Sequence, residues 1–147
     1  MTGTRRLLVL SGGHPYEAEP FADLLASFEG WTVTHLNHPE AEIAVAEGAA
    51  DAADAILFYD MPGYSFGDGR AATRPPSFTY RRAITDYFAR GGGAVAMHHA
   101  IAGWAEWPEW AEMLGGRFLY DPGEAHGEQH LDSGYRHEVR YDAIVLD

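Results

Sequence analysis

The sequence contains no cysteine and no lysine, and all ten of its basic residues are arginines. The missing thiol excludes a thiolate nucleophile, a disulfide framework and a zinc site with cysteine ligands. The missing amine excludes Schiff-base and pyridoxal-phosphate enzymes and a P-loop nucleotide site, because each of these needs a lysine. Catalysis by this chain would therefore use histidine, acidic residues, tyrosine, serine, arginine or a metal ion.

Positive charge and long apolar runs are also scarce. The net charge is −12 and the sequence has no basic stripe, so neither nucleic acid nor an anionic membrane is an expected partner. The apolar run Leu7–Leu10 is too short for a signal peptide, and no run approaches membrane-spanning length. We therefore expect a cytoplasmic protein, whose 147 residues, 46% of them hydrophobic, predict one domain over 1–147 with a sizeable core.

Apolar runs and helical periodicities alternate along the sequence. Strands are predicted at Arg5–Leu10, Trp31–Leu36, Ala55–Tyr59 and Ala94–Met97. Helices are predicted between Pro20 and Gly30, within Pro39–Ala53 with a break at Gly48, over Phe78–Arg90 and over Pro108–Leu114. This alternation predicts an α/β fold with a parallel sheet covered on both faces, of the flavodoxin-like form. Residues 63–76 are predicted to be a long functional loop, Tyr135–Tyr141 an edge strand, and 143–147 a further strand.

Polar residues follow three of the predicted strands. His98 and His99 follow the fourth strand, His14 follows the first in the sequence Ser-Gly-Gly-His-Pro, and Asp60 ends the third. Ligands bind at the carboxyl ends of strands in open α/β sheets, so these side chains are candidate site residues. The amides of Gly12 and Gly13 could hold an anion, although a tight turn with a solvated histidine explains the same sequence equally well.

Two other motifs are weaker candidates. Gly63–Gly67 matches the G-x-S-x-G string of serine hydrolases, but Pro62 separates it from the strand and no helix can open after it, so we interpret it as a loop over the site. His126 and His130 have the spacing of zinc ligands on a helix, but the glycine between them favours a solvated polar loop.

The remaining histidines and the tryptophans have structural interpretations as well. His35 and His38 show no convergent partner in the sequence and are interpreted as structural. Trp104, Trp107 and Trp110 recur every third residue. They could present flat faces to a sugar, but at least one of them, Trp110, is expected in the core.

Three segments, taken together, resemble a known family. They are SGGHPY at 11–16, LFYDMPGY at 57–64, and the glycine-rich segment with the histidine pair at 91–120. In combination they are similar to the trehalose-utilization (ThuA-like) family of the class I glutamine amidotransferase-like superfamily. The resemblance spans nearly the whole chain. It implies a flavodoxin-like three-layer sandwich and a role in the metabolism of trehalose or related keto-sugars.

The resemblance also implies a role for one histidine. In that superfamily the strand matching Ala94–Met97 ends in a sharp elbow that holds a catalytic cysteine, and the ThuA-like branch has histidine there. His98 matches that position, which implies that glutaminase chemistry has been lost. Members of the family continue past the segment matching 135–147, so the resemblance implies a domain shortened at its C-terminus.

These observations lead to a site hypothesis. The catalytic set is His14, Asp60, His98 and His99, and the substrate-binding set is Gly12, Gly13, Tyr64, Trp104 and Trp107. Without a metal, His98 acts as general acid or base on a sugar hydroxyl or carbonyl while Asp60 orients an imidazole. In the alternative with a metal, a divalent ion such as zinc binds to two or three of His14, His98, His99 and His137.

A hypothesis from another functional class stays open. The chain could be a catalytically inert binding or oligomerisation module that kept an amidotransferase-like scaffold, since one fold hosts unrelated functions. In either case an exposed sheet edge in a short chain favours a homodimer. The site hypothesis expects the His98 side chain in a site with His14 or Asp60. The inert module expects it packed in the core.

Overall fold

The computed structural model describes residues 4–67, 70–136, 138–142 and 144. In chain order the strands are β1 Arg5–Gly12, β2 Trp31–Asn37, β3 Ala55–Asp60, β4 Tyr64–Gly67, β5 Arg70–Thr73, β6 Gly93–Ala96, β7 Gly123–Ala125 and β8 Glu128–His130. The helices are α1 Ala18–Ala26, α2 Glu40–Ala46, α3 Phe78–Ala89 and α4 Pro108–Leu114. Short 3-10 turns cover Ala49–Ala52 and His98–Ala102.

A parallel sheet of four strands, in the order β2-β1-β3-β6, forms the centre of the fold. The four strands predicted between Arg5 and Met97 are all present, with ends that differ by one or two residues. In this register Gly12 lies opposite Asp60, and Phe58 lies opposite Ala96. The carboxyl ends of β1, β3 and β6 are therefore neighbours at one edge.

Apolar side chains alternate between the two faces of the sheet. Leu8, Leu10, Ile56 and Phe58 belong to one buried cluster together with residues of α2, α3 and α4. Leu7, Val9 and Leu57 belong to a second cluster with Phe21 and Leu25 of α1. Helices thus flank the sheet on both faces, as the near-continuous apolar runs of β1 and β3 predict.

Polar contacts and turn residues fix the helix ends. The backbone N–H of Ser77, the residue before α3, donates to the Glu42 carboxylate at 2.7 Å, and the Ser77 hydroxyl accepts from Tyr80 N–H. Proline begins α4, and Gly115 ends it with φ of +76°. The contact between Ser77 and Glu42 ties α2 to the start of α3.

The structure corrects three expectations. Residues 63–76 contain the antiparallel hairpin β4–β5, and the segment with His126 and His130 contains the hairpin β7–β8. The described residues of Tyr135–Tyr141 form no strand, and Ile144 lies outside any strand. His137, Ala143 and residues 145–147 lie outside the described residues. No helix formed by the described residues has the length and hydrophobicity needed to cross a bilayer.

Strand β6 differs from the rest of the sheet because every residue in it is exposed. It is the last strand in the sheet order, and β3 is its only partner among the described residues. The expectation that both faces are covered therefore holds for β1 and β3 but not for β6. An edge strand of this kind presents unpaired backbone groups to solvent.

Candidate functional site

Three imidazole rings lie together at the carboxyl edge of the sheet, and we call them the imidazole cluster: His14, His98 and His99. His14 follows β1, and the other two open the 3-10 turn after β6. The His14 and His99 rings stack with centroids 4.1 Å apart and planes 19° apart. Nδ1 of His98 lies 2.8 Å from Nδ1 of His99. His99 is thus the central ring, and the sheet topology brings the three together as predicted.

The backbone of His98 is in the left-handed region, with φ of +41°. Residues other than glycine rarely adopt this conformation, because the Cβ atom crowds the backbone. The turn leaves the side chain of His98 exposed beyond the sheet, and its described hydrogen bond goes to His99. Strained backbone at the end of a strand is typical of functional sites, where the surrounding structure holds it.

His99 has an altered proton affinity. Burial, and to a smaller extent the neighbouring His14 and His98, lower its pKa from 6.5 to about 4. The ring is therefore neutral at pH 7 and carries one N–H. In the contact between the two Nδ1 atoms, one nitrogen donates and the other accepts. A neutral His99 can therefore accept a hydrogen bond from a protonated His98.

Backbone carbonyl groups hold the His14 ring. Nδ1 lies 2.9 Å from the carbonyl oxygen of Pro15, and Nε2 lies 3.1 Å from that of Tyr59. Because a carbonyl oxygen only accepts, each contact is a hydrogen bond when the nitrogen facing it carries the proton. The ring edge is thus engaged by the backbone, and its face packs against His99.

Asp60 does not orient a ring of the imidazole cluster, which corrects the predicted role. Its Oδ2 lies 2.8 Å from Nε2 of His38, and both side chains are buried. Burial raises the pKa of Asp60, while the hydrogen bond from His38 acts in the opposite direction. Because β2 and β3 lie on either side of β1, the partner becomes visible only once the strand order is known.

The pair of Asp60 and His38 belongs to a larger buried polar group. Tyr80 and Trp104 lie beside His38, with ring centroids 6.4 and 5.8 Å from it. Each of the four side chains has one buried polar atom with no hydrogen-bond partner among the described residues: His38 Nδ1, Asp60 Oδ1, Tyr80 Oη and Trp104 Nε1. Burial raises the pKa of Tyr80 well above its usual value. Most buried polar groups in proteins are paired, so this group is unusual.

Close packing explains why the loop after β1 has two glycines. A Cβ atom on Gly12 would lie 2.0 Å from Oδ1 of Asn37, and one on Gly13 would lie 2.2 Å from the carbonyl oxygen of Met61. Both residues also have positive φ, of +102° and +78°. A tight turn therefore accounts for the glycines, and their predicted contact with substrate stays a prediction.

The tryptophans predicted to bind substrate lie in the core. Trp104 is 0% exposed and Trp107 is 1% exposed, so neither presents a free face to a ligand in this structure. Trp110 is buried as expected, and its Nε1 donates to the carbonyl oxygen of Ala100 at 3.0 Å. The third predicted aromatic residue, Tyr64, is half-buried on β4 and stacks on Phe66.

The imidazole cluster does not have the arrangement of a zinc site. The two Nδ1 atoms of His98 and His99 point at each other, and the His14 ring offers its face. Within the described ranges no group of three or more histidine or acidic side chains is placed to hold a metal. The fourth predicted ligand, His137, lies outside those ranges. Metal binding therefore stays a prediction.

Other predicted positions have ordinary structural roles. Ser65 is exposed on β4 with no helix after it, so the hydrolase elbow is not formed. His126 lies 3.1 Å from the Glu112 carboxylate, and His35 lies 2.6 Å from the Ser11 hydroxyl.

Comparisons with protein families, curated proteins and solved structures found no match to this chain.

Proposed function

We propose that this chain is a ThuA-like protein of carbohydrate metabolism, which acts on or binds a small sugar such as trehalose or a keto-sugar. In this proposal the fold is a flavodoxin-like three-layer sandwich, and His98 takes the place of the amidotransferase cysteine. One observation carries the proposal, the φ of +41° at His98, two residues after the end of β6. It supports the proposal because the family resemblance implies a sharp turn at the reactive residue.

The geometry supports proton transfer through His98. Its Nδ1 faces His99, which leaves Nε2 for a ligand. When Nε2 takes a proton from a sugar hydroxyl, the N–H at Nδ1 can donate to the neutral His99, which stabilises the imidazolium. In the reverse step Nε2 returns the proton to the alkoxide oxygen of the sugar. A base held by a second group in this way is the usual arrangement in acid–base catalysis.

The second candidate is an inert binding or oligomerisation module. The exposure of β6 favours it, because an open strand edge can pair with another chain. The pairing of Asp60 with His38 also favours it, because among the described residues no carboxylate is hydrogen-bonded to the imidazole cluster. Both candidates predict that the protein forms a homodimer, so turnover distinguishes them.

The test uses proton NMR of trehalose and 3-keto-sugars incubated with the purified protein. We expect loss of substrate signals with wild type and with His130→Ala, a control on exposed β8, and at least a hundredfold slower loss with His98→Ala. Metal analysis before and after chelation shows whether activity needs an ion. Equal rates for wild type and His98→Ala, or no conversion by any variant, would overturn the catalytic proposal.

A further inference from the structure

A cleft of about 390 Å³ lies between the hairpin β4–β5, helix α4 and the hairpin β7–β8. We call it the aromatic cleft, and its lining includes Tyr64, Glu112, Arg117, Phe118, Tyr120 and Asp121. Its volume lies within the range of small-molecule sites, about 300 to 1,000 Å³. No residue of the imidazole cluster lines it, so it is a separate cavity.

Aromatic rings form one wall of this cleft. Tyr64 packs edge to face with Tyr120 at a centroid distance of 5.3 Å, and Phe118 packs against Tyr120 at 5.0 Å. Phe66, which stacks on Tyr64 and is 58% exposed, extends this group of rings outside the lining of the cleft. Exposed, clustered rings of this kind are scarce on surfaces that contact only water. They offer apolar faces on which the C–H face of a sugar ring can pack.

The polar groups of the aromatic cleft discriminate between ligand charges. Glu112, Asp121 and Glu124 contribute three carboxylates and Arg117 contributes one guanidinium. Burial raises the pKa of Tyr64, an effect that Arg117 opposes and that Tyr120 and Asp121 reinforce, so charges of both signs lie near this phenol. The excess of carboxylates disfavours a phosphorylated ligand, and one of the three, Glu112, already lies 3.1 Å from His126, another lining residue.

An uncharged polyol fits this combination. Its hydroxyl groups both donate and accept hydrogen bonds, so they can use carboxylates, phenols and a guanidinium together. Tyr120 also connects the aromatic cleft to the candidate site, because its hydroxyl donates to Sδ of Met61 at 3.5 Å. The Met61 carbonyl in turn packs against Gly13, next to His14. The cleft and the imidazole cluster are thus linked through one buried residue.

From these contacts we infer that the aromatic cleft binds the ring of an uncharged sugar, with Tyr64 and Tyr120 as the stacking residues. The inference rests on the proposed function for the expectation that a sugar is the ligand. The binding chemistry itself comes from the rings and charges of the aromatic cleft. The inference therefore assigns sugar recognition to Tyr64 and Tyr120 and not to the histidines of the imidazole cluster.

The test is calorimetric titration of the whole protein with trehalose and methyl glucoside. We expect Tyr120→Ala to weaken binding about tenfold or more, the factor that one aromatic contact represents. Tyr120→Phe, which keeps the ring, should bind within about threefold of wild type. Phe78→Ala removes an exposed ring on α3 and serves as the matched control. Thermal melts check that each variant is folded.

Glucose 6-phosphate and choline provide the charged competitors. Tighter binding of either one than of the neutral sugars would overturn the inference, as would equal sugar affinity in wild type and a folded Tyr120→Ala. The outcome is separable from the proposed function because the Tyr120 variants report binding at the aromatic cleft, whereas turnover by His98→Ala reports the catalytic proposal. Binding that depends on Tyr120 without any turnover would support the aromatic cleft and contradict the catalytic proposal.

Discussion

His99 shows how neighbouring side chains set the charge of one imidazole. His98 and His99 are adjacent in sequence, yet one is exposed and the other lies between two rings. His38 illustrates a third environment, a buried ring beside a carboxylate. The residue type alone predicts a titratable group near neutrality. Only the packing decides which ring stays neutral, so the roles within the imidazole cluster could not be assigned from sequence.

We expect His99 to titrate near pH 4, against an ordinary value of 6.5. The unfolded chain then binds this proton at a higher pH than the folded chain does. Stability should therefore fall as the pH is lowered from 6.5 towards 4. NMR of the imidazole Cε1–H signals measures the midpoint, and melting temperatures of wild type and His99→Gln measure the linkage. As the pH falls, we expect the melting temperature of wild type to drop more steeply than that of His99→Gln. A titration midpoint above pH 6 for His99 would contradict its low pKa.

At the level of elements, periodicity predicted the regular parts and missed the hairpins. Leu7–Leu10 of β1 and Ala55–Tyr59 of β3 are continuous apolar runs, and the structure confirms that both are strands. Residues 64–73 carry two glycines and several small side chains, a composition shared by loops and short hairpins. The sequence does contain one hairpin signal, the dipeptide Asp68-Gly69 between the paired residues Gly67 and Arg70, which the loop interpretation did not use. The partner of Asp60 was missed for a different reason, because a contact across two strands depends on the sheet order.

Gly13 tests whether the loop after β1 is built for close packing. In Gly13→Ala the methyl group would meet the Met61 carbonyl oxygen at 2.2 Å, and the residue would keep a φ of +78°. Gly91→Ala is the matched control, since its φ is +83° and nothing lies within 4 Å. The shared backbone strain costs about 1–2 kcal/mol, and the clash at Gly13 adds about 1–3 kcal/mol.

Urea unfolding of the two glycine variants measures this difference. We expect Gly13→Ala to be clearly less stable than Gly91→Ala and to shift the NMR signals of His14, which follows in the same loop. Equal destabilisation by the two substitutions would show that the loop can move away from Met61. In that case the glycines would be free to serve the anion-binding role predicted from sequence.

On the scale of the whole molecule, the order of the predicted elements indicated the fold class but did not show which strand ends the sheet. The alternation of strands and helices indicated a parallel α/β arrangement, and the four-stranded sheet confirms it. The segment Ala94–Met97 looks like any buried strand in sequence, yet every residue of β6 is exposed. A strand's own residues do not show whether another strand follows it in the sheet. That β6 is an open edge of the sheet is therefore visible only in the three-dimensional structure.

This open edge leads to a prediction about assembly. The strand β6 has no charged residue and no proline, and Val95 is 57% exposed, so the strand lacks the usual protection against edge pairing. We expect two copies to pair through β6 and to show about twice the 16.2 kDa chain mass by light scattering. Because each copy has a net charge of −12, salt should strengthen the dimer by screening repulsion.

Val95→Lys should shift the protein to the monomer, since it places a charge in the pairing edge. Ile43→Lys is the control, because it adds the same charge at an exposed apolar position on α2, away from the sheet edge. A dimer that persists in Val95→Lys but dissociates in Ile43→Lys would place the interface on the helical face. A wild-type monomer at every salt concentration would show that four exposed residues are too short an edge for two copies of this acidic chain to pair.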